Sequence, residues 1–435
     1  MDSTADSTAL LTDHYELTML QAALKAGTAE RRAVFELFPR RLAGGRRYGV
    51  VAGVGRALDA LEAFRFGSEQ LAILEGVVDG PTLEWLAGYR FTGDIWGYPE
   101  GETFFPHSPL LVVEASFAEA VVLETVLLSI YNHDSAIATA ASRMTMAAGE
   151  RPCIEMGSRR THEAAAIAAA RAAYVAGFTA TSNLAARARF GVPTTGTSAH
   201  AFTLLHDTEE QAFRAQVASL GKGTTLLVDT YDIAEAVAKA VEIAGPELGA
   251  VRIDSGDLGL LAHDVRRQLD DLGATDTKII VTSDLDEYAI AGLAAAPVDG
   301  YGVGTQLVTG SGHPTAGFVY KLVAREGASG VLEPVAKKSA SKASIGGRKY
   351  ALRRRNPKDV SDAEVIGIGT PPNGTVLNSS GNDRPLLTQL VKSGEVVGRE
   401  PLDAARERHR ASVAELPVIA HSLLKGDPAI PTLFQ

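Results

Sequence analysis

The chain has 435 residues, of which 46% are apolar and 22% charged, and a formal charge of −10. That length fits two or three domains with a large core, and the acidic balance excludes a broad nucleic-acid footprint, leaving any anion specificity to a local pocket. The single cysteine, Cys153, excludes an intrachain disulfide and a multi-cysteine zinc site.

The acidic start, Met1-Asp2-Ser3-Thr4-Ala5-Asp6, lacks the basic and apolar regions of a signal peptide. Residues 121–141 are broken by Glu124, His133 and Asp134, so no membrane span is expected and a soluble cytoplasmic protein is the default. Residues 10–26 read as a helix, with Thr12 or Asp13 as cap and Gly27 just past the end. Residues 33–40 and 48–54 read as strands, and 54–64 as a helix. Residues 102–106 and 110–115 resemble a hairpin pair, and 117–141 a long helix.

From Cys153 onward one pattern recurs seven times: a short apolar run, a polar tip, a helical stretch. The runs are 153–156, 178–181, 192–195, 225–228, 250–253, 278–281 and 300–303. Their tips include Gly157-Ser158-Arg159-Arg160, Ser182-Asn183, Gly196-Thr197-Ser198-Ala199-His200, Asp229-Thr230-Tyr231-Asp232, Asp254-Ser255-Gly256-Asp257, Thr282-Ser283-Asp284 and Gly304-Thr305. The alanine-rich helix over 162–176 stops at Gly177, and Thr208 with Gln211 and Ser283 with Asp286 resemble capping boxes. After Thr305 the pattern ends. A turn at Gly310-Ser311-Gly312-His313-Pro314 leads to strands over 318–324, 331–336 and 349–354, a loop over 367–374 with Pro371 and Pro372, and a final helix over 402–416.

Strands alternating with helices imply a parallel sheet, because parallel strands need a crossover connection. The expected fold is α/β: an irregular seven-unit (β/α) barrel over 146–324, flanked by an α/β sandwich-like domain built from 1–145 and 325–435. In such sheets the loops at the carboxyl ends of the strands converge on one face, where ligands sit. Here that face carries arginines, carboxylates, a histidine, hydroxyls and glycine turns, and it suits a polyanionic substrate.

The run Val251-Arg252-Ile253-Asp254-Ser255-Gly256-Asp257-Leu258 is the densest in useful groups. A strand-end carboxylate followed by Ser-Gly and a helix start can bind a ribose hydroxyl or a magnesium ion; Asp254 or Ser255 can equally serve only as the helix cap. Arg252 adds a planar, always-charged donor for a carboxylate or phosphate. In Gly302-Val303-Gly304-Thr305 the glycines allow close approach to a phosphate and Thr305 can donate its hydroxyl, although Gly-x-Gly also marks simple turns. His200 can act as acid, base or nucleophile, or be structural. Arg159 or Arg160 can hold a surface carboxylate or stack on an aromatic ring, and Tyr15 can supply an opposing ring face or pack in the core. The ten histidines include no His-Glu-x-x-His, and neither a P-loop nor a dinucleotide Gly-x-Gly-x-x-Gly occurs in the required context.

Taken together, Leu11-Thr12-Asp13-His14-Tyr15, Phe35-Glu36-Leu37-Phe38, Gly157-Ser158-Arg159-Arg160-Thr161-His162-Glu163-Ala164, Gly196-Thr197-Ser198-Ala199-His200, Asp254-Ser255-Gly256-Asp257-Leu258 and Gly302-Val303-Gly304-Thr305 resemble the nicotinate phosphoribosyltransferase family over about residues 10–325. The resemblance implies ATP-coupled transfer of phosphoribosyl from 5-phosphoribosyl 1-diphosphate to the ring nitrogen of nicotinate, with magnesium present. The products would be nicotinate mononucleotide and diphosphate. It implies that His200 is phosphorylated by ATP, that Tyr15, Thr197 and Arg252 hold nicotinate, and that Arg159 stacks on the pyridine ring. Gly304 and Thr305 would hold the sugar phosphate, with Ser255 and Gly256 also lining the substrate, and Asp254 with Asp257 would be the magnesium ligands. Members resemble one another in forming homodimers with shared active sites, so Tyr15 is expected to serve the neighbour's site.

The nearest competitor is nicotinamide phosphoribosyltransferase, which reads the neutral amide with an aspartate where this chain has Ser182; an uncharged residue there favours a carboxylate substrate. Decarboxylating quinolinate enzymes would need a more basic pocket. A catalytically silent nucleotide-binding paralogue is the alternative outside enzymology. The resemblance weakens after Thr305: the basic turn Lys337-Lys338-Ser339 through Gly346-Gly347-Arg348-Lys349 has glycine at 346 where the family pattern has proline, and the tail lacks the cysteines of zinc-bearing relatives.

Overall fold

The computed structural model describes residues 7–337, 345–370 and 383–435, so the expected features at Met1 to Asp6, Lys338 and Ser339, and Pro371 and Pro372 lie outside the described residues. The chain divides into two compact units: Met1–Thr139 with Thr315–Gln435, and Ala140–Pro314. Among the described residues no helix is long and apolar enough to cross a membrane.

The first unit is built on an antiparallel sheet ordered Leu332–Pro334, Phe318–Glu326, Arg32–Pro39, Leu111–Ser116, Asp94–Gly97, Thr388–Lys392, Glu395–Val396. Its Arg32–Pro39 strand is apolar on both faces because both are covered. Phe35 and Leu37 join the main core, where Phe35 stacks on Tyr320 at 4.9 Å, while Val34 packs with Val112 and Val323 on the other side. The strand's buried charged residue, Glu36, lies against Lys349 at 2.7 Å, as a buried carboxylate requires. A second sheet orders Arg384–Pro385, Lys349–Arg355, Ser361–Ile368 and Thr432–Phe434. Arg353 is fully buried there and donates to Glu364 at 3.0 Å and to the Thr103 hydroxyl at 2.9 Å.

Several local expectations are corrected. Residues 10–26 form a 3-10 turn, Ala9–Leu11, and a helix, His14–Lys25, and of the two caps offered by the sequence Asp13 is the one used. The 102–106 and 110–115 segments do not pair with each other. Thr103–Phe104 pairs with Gly49–Val50, while Leu111–Ser116 lies between Arg32–Pro39 and Asp94–Gly97. Pro106 and Pro109 cannot donate to a ladder across the intervening turn. The expected helix over 117–141 is two, Phe117–Val121 and Glu124–Ala148. The break is held from outside: the buried Glu16 carboxylate accepts from Thr125 N at 3.0 Å, capping the second helix, and Thr12 Oγ1 donates to Val122 O at 3.1 Å.

The second unit holds a wholly parallel sheet ordered Ala180–Thr181, Cys153–Glu155, Gly300–Val303, Lys278–Ser283, Ala250–Ile253, Thr225–Leu227. Six of the seven apolar runs are strands of this sheet. The seventh, 192–195, joins by a single bridge from Thr194 to Thr181. The first and last strands lie side by side, with Tyr301 opposite Cys153 and Val303 opposite Glu155. Among the described residues no ladder joins 192–195 to Thr225–Leu227, so the sheet is a half-barrel with its gap there. Helices follow the strands, among them Glu163–Val175, in which Ala166, Ala168, Ala169, Ala170, Ala172 and Ala173 lie buried.

Candidate functional site at the strand ends

Sheet register fixes which tips meet. Leu227 is paired with Arg252, Val281 with Ile253, and Ser283 with Val303. Asp229, Asp254 and Thr282 therefore stand on three consecutive tips, and Gly304 lies on the next.

Asp229 is the hinge of this arrangement. Its side chain is 1% exposed. Oδ2 accepts from Asp254 N at 3.0 Å and from Ser255 Oγ at 2.7 Å. Oδ1 is buried with no hydrogen-bond partner, and His200 Nε2 lies 3.8 Å away. His200 opens the short helix His200–Leu205. Its Nδ1 is 3.1 Å from Thr230 Oγ1, which leaves Nε2 facing Asp229 and, at 3.9 Å, Asp254 Oδ2. The other Asp254 oxygen accepts from the Thr282 hydroxyl, so Oδ2 is the atom turned outward.

Arg252 donates to Thr197 Oγ1 at 2.6 Å, and its Nε is buried without a partner. Burial pushes the guanidinium below its ordinary value; Asp254 and Asp229 pull it back, and Arg159 adds repulsion. That coupling puts Arg159 within electrostatic reach of Arg252, although both Arg159 and Arg160 are exposed. Such a guanidinium, partly desolvated and incompletely paired, is set for an incoming carboxylate.

Helix capping here falls to Asp257, not to Asp254 or Ser255: Asp257 Oδ1 accepts from Leu260 N at 3.1 Å. Gly256 has φ +85°, and a Cβ there would meet Leu261 at 2.7 Å, so the Asp-Ser-Gly-Asp turn needs glycine. Likewise Asp286, not Ser283, caps the Glu287–Gly292 helix, accepting from Tyr288 N at 3.0 Å and Ala289 N at 2.8 Å. Ser283 instead ends its strand at φ 151°, a strained conformation for a residue with a side chain. Thr305 opens the short helix Thr305–Val308 behind Gly304. Tyr15 stands half-exposed on the His14–Lys25 helix of the first unit, its phenol pushed up by burial, then by Glu124 and Glu16.

A family profile described as the nicotinate phosphoribosyltransferase N-terminal domain matches residues 10–132. Over 436 aligned residues, 98% of this chain and 95% of the relative, the chain is 56% identical to nicotinate phosphoribosyltransferase pncB1 of Mycobacterium tuberculosis. The chain belongs to the nicotinate phosphoribosyltransferase family. The nicotinate phosphoribosyltransferase of Bacillus subtilis is 40% identical over 377 residues, 83% of this chain and 76% of that one. Among solved structures, human nicotinic acid phosphoribosyltransferase superposes with a TM-score of 0.83 at 25% identity, covering 98% of this chain and 97% of the other. The nicotinate-nucleotide pyrophosphorylase of Pyrococcus furiosus superposes with a TM-score of 0.77 at 25% identity, covering 94% and 95%.

Within this member of the nicotinate phosphoribosyltransferase family, His200, Thr197, Arg252, Asp254 and Ser255 are brought together as one cluster. Asp229 and Thr230, on the tip Asp229-Thr230-Tyr231-Asp232, gain a role only in the structure. The usable signal was the same as for Asp254: a carboxylate at a strand end followed by a hydroxyl. Thr282, on its own tip, and Glu155, inside the apolar run 153–156, likewise gain their roles only from the structure.

Proposed function

We propose that this chain transfers the phosphoribosyl group of 5-phosphoribosyl 1-diphosphate to nicotinate, giving nicotinate mononucleotide and diphosphate in the synthesis of NAD from nicotinate, coupled to ATP hydrolysis. The observation that carries this reading is the convergence of His200, Asp229, Asp254 and the Arg252–Thr197 pair on adjacent strand ends, in a chain 56% identical to a nicotinate phosphoribosyltransferase.

The chemistry follows from the groups. Departure of diphosphate develops cationic character at the anomeric carbon, so catalysis is chiefly positioning and electrostatics. Arg252, held by Thr197, neutralises the nicotinate carboxylate and leaves the ring nitrogen free to attack, with Arg159 stacked on the ring and Tyr15 of a neighbouring copy on its other face. Asp254, with one oxygen held by Thr282, offers the other to the ribose hydroxyls. Gly304 and Thr305 receive the sugar phosphate, and Ser255 and Gly256 line the ribose. With Nδ1 engaged by the Thr230 hydroxyl, His200 Nε2 is the nitrogen available to the γ-phosphate of ATP.

The donor set fits magnesium. Among the described residues no group of three or more histidine, cysteine or carboxylate side chains forms a ready cage, and magnesium is typically held by one or two carboxylates plus substrate phosphates. Asp254 Oδ2 and the unpartnered Asp229 Oδ1 are such carboxylate atoms. Asp257 is the weaker candidate, since its carboxylate caps a helix. When bound, the ion supplies charge neutralisation for the leaving diphosphate.

Ser182, exposed and uncharged at the second strand's end, supports nicotinate over nicotinamide. Exposed Leu184, Leu204, Leu205, Tyr231 and Leu260 around the strand-end face support a homodimer in a cytoplasmic enzyme, with Tyr15 serving the neighbouring copy. The half-barrel is read as the family's irregular barrel, and the first unit as its sandwich-like companion.

The test is product formation from nicotinate or nicotinamide with 5-phosphoribosyl 1-diphosphate, each with and without ATP. Nicotinate mononucleotide should form fastest with ATP. Equal use of nicotinamide would overturn the Ser182 argument, and no product under any condition would favour a catalytically silent nucleotide-binding protein.

A further inference from the structure

Glu155 is a carboxylate that the proposed chemistry does not use, yet it is wholly buried at the carboxyl end of the first strand. Its two side-chain oxygens serve two different tips. Oε1 accepts from Gly157 N, at the start of the tip that carries Arg159, and Oε2 accepts from the Thr181 hydroxyl, at the root of the tip that carries Ser182. Its backbone carbonyl accepts from Ser182 N at 2.8 Å. The Thr181 hydroxyl accepts in turn from Asn183 N at 2.9 Å, and Asn183 Nδ2 returns to Ser158 Oγ at 3.0 Å. These bonds close a ring: Glu155, Gly157, Ser158, Asn183, Thr181, Glu155.

The ring has little room to shift. Gly157 N is held by Glu155, and a Cβ on Gly157 would come within 2.2 Å of Val308 Cγ1. Asn183 is further fixed as cap of the Leu184–Phe190 helix, accepting from Ala186 N at 2.9 Å. We propose that Glu155 is a positioning residue for base recognition: by tying the Gly157 and Thr181 tips together it sets the spacing between Arg159 and Ser182, and so the preference for a pyridine carboxylate over the amide. This inference rests on the proposed transfer to nicotinate. Burial also raises the Glu155 carboxyl above its ordinary value against the pull of the Thr181 and Gly157 bonds, consistent with a group that acts through hydrogen bonds rather than as an exposed charge.

The test compares Glu155→Ala, Glu155→Gln, Thr181→Val and Thr181→Ser with the full-length wild-type chain. The readouts are KM for nicotinate, KM for 5-phosphoribosyl 1-diphosphate, kcat, and the ratio of kcat/KM for nicotinate to that for nicotinamide. Thr181→Val removes one hydroxyl with little change in volume, so it reports even where Glu155→Ala fails to fold. Thr181→Val should raise KM for nicotinate about tenfold and narrow the nicotinate preference, with KM for the diphosphate substrate within about twofold. Thr181→Ser, which keeps the hydroxyl, and Glu155→Gln, which keeps an acceptor for Gly157 and a second polar arm for Thr181, should stay near wild type. Loss of thermal stability with unchanged nicotinate KM and base preference would overturn the inference and leave Glu155 a structural group. A wild-type chain that forms no nucleotide from either base would overturn the proposed function, and this inference with it.

Discussion

At the scale of single residues, the proposed chemistry divides the site into groups that would meet ligand and groups that would aim them. His200 belongs to the first kind. His200→Ala should abolish ATP stimulation and acid-labile labelling by ATP while leaving slow transfer, read by comparing rates with and without ATP; full ATP stimulation in the variant would contradict its role. Asp229 is of both kinds: its Oδ2 positions Asp254 and Ser255, while its unpartnered Oδ1 is the atom proposed for magnesium. Asp229→Asn should lower kcat/KM by about 10–100-fold with little change in melting temperature. Arg252→Lys replaces a planar fork with a point charge, and KM for nicotinate should rise about tenfold while that for 5-phosphoribosyl 1-diphosphate holds.

The element scale explains what could be read from the chain and what could not. Short apolar runs ending in Gly, Asp or Ser were legible because the strand period and turn chemistry are local properties. Six of them became parallel strands, and the tips quoted from sequence are the tips that meet. Asp229 escaped assignment because its brace appears only once register sets Leu227 beside Arg252. The mistaken hairpin over 102–115 had the same origin: both strands are real, but their partners, Gly49–Val50 and Arg32–Pro39, come from far along the chain. The helix break at Val122 and Leu123 likewise depends on Glu16, more than a hundred residues away. At this scale Gly157→Ala should cost about 1–3 kcal/mol through its collision with Val308 and displace the Arg159 tip. Thermal melting together with nicotinate KM checks both effects.

Across the whole molecule, stability is tied to pH by buried groups of opposite tendency. His409 is lowered to about 4 by burial, then by Arg406, against an ordinary value of 6.5. The folded chain therefore keeps it neutral while the unfolded chain takes up a proton, so stability present above pH 6.5 is lost as pH falls towards about 4, ~3 kcal/mol in all. Glu36, raised to about 7 by burial against the pull of Lys349, works the other way: its contribution is full below 4.5 and is lost as pH rises through about 7. The two oppose each other in the shared window, so the variant difference is the clean readout. Relative to wild type, His409→Gln should lose less melting temperature between about pH 7 and about pH 5.

Under the proposed function, residues far apart in the chain form one site for a phosphorylated sugar joined to a pyridine carboxylate. A crystal structure of the protein with nicotinate mononucleotide tests it most directly. The pyridine carboxylate should lie on Arg252 and Thr197, a ribose hydroxyl on Asp254, and the phosphate at Gly304 and Thr305. Nucleotide bound away from the strand ends, or seated there with Arg252 turned from its carboxylate, would contradict it.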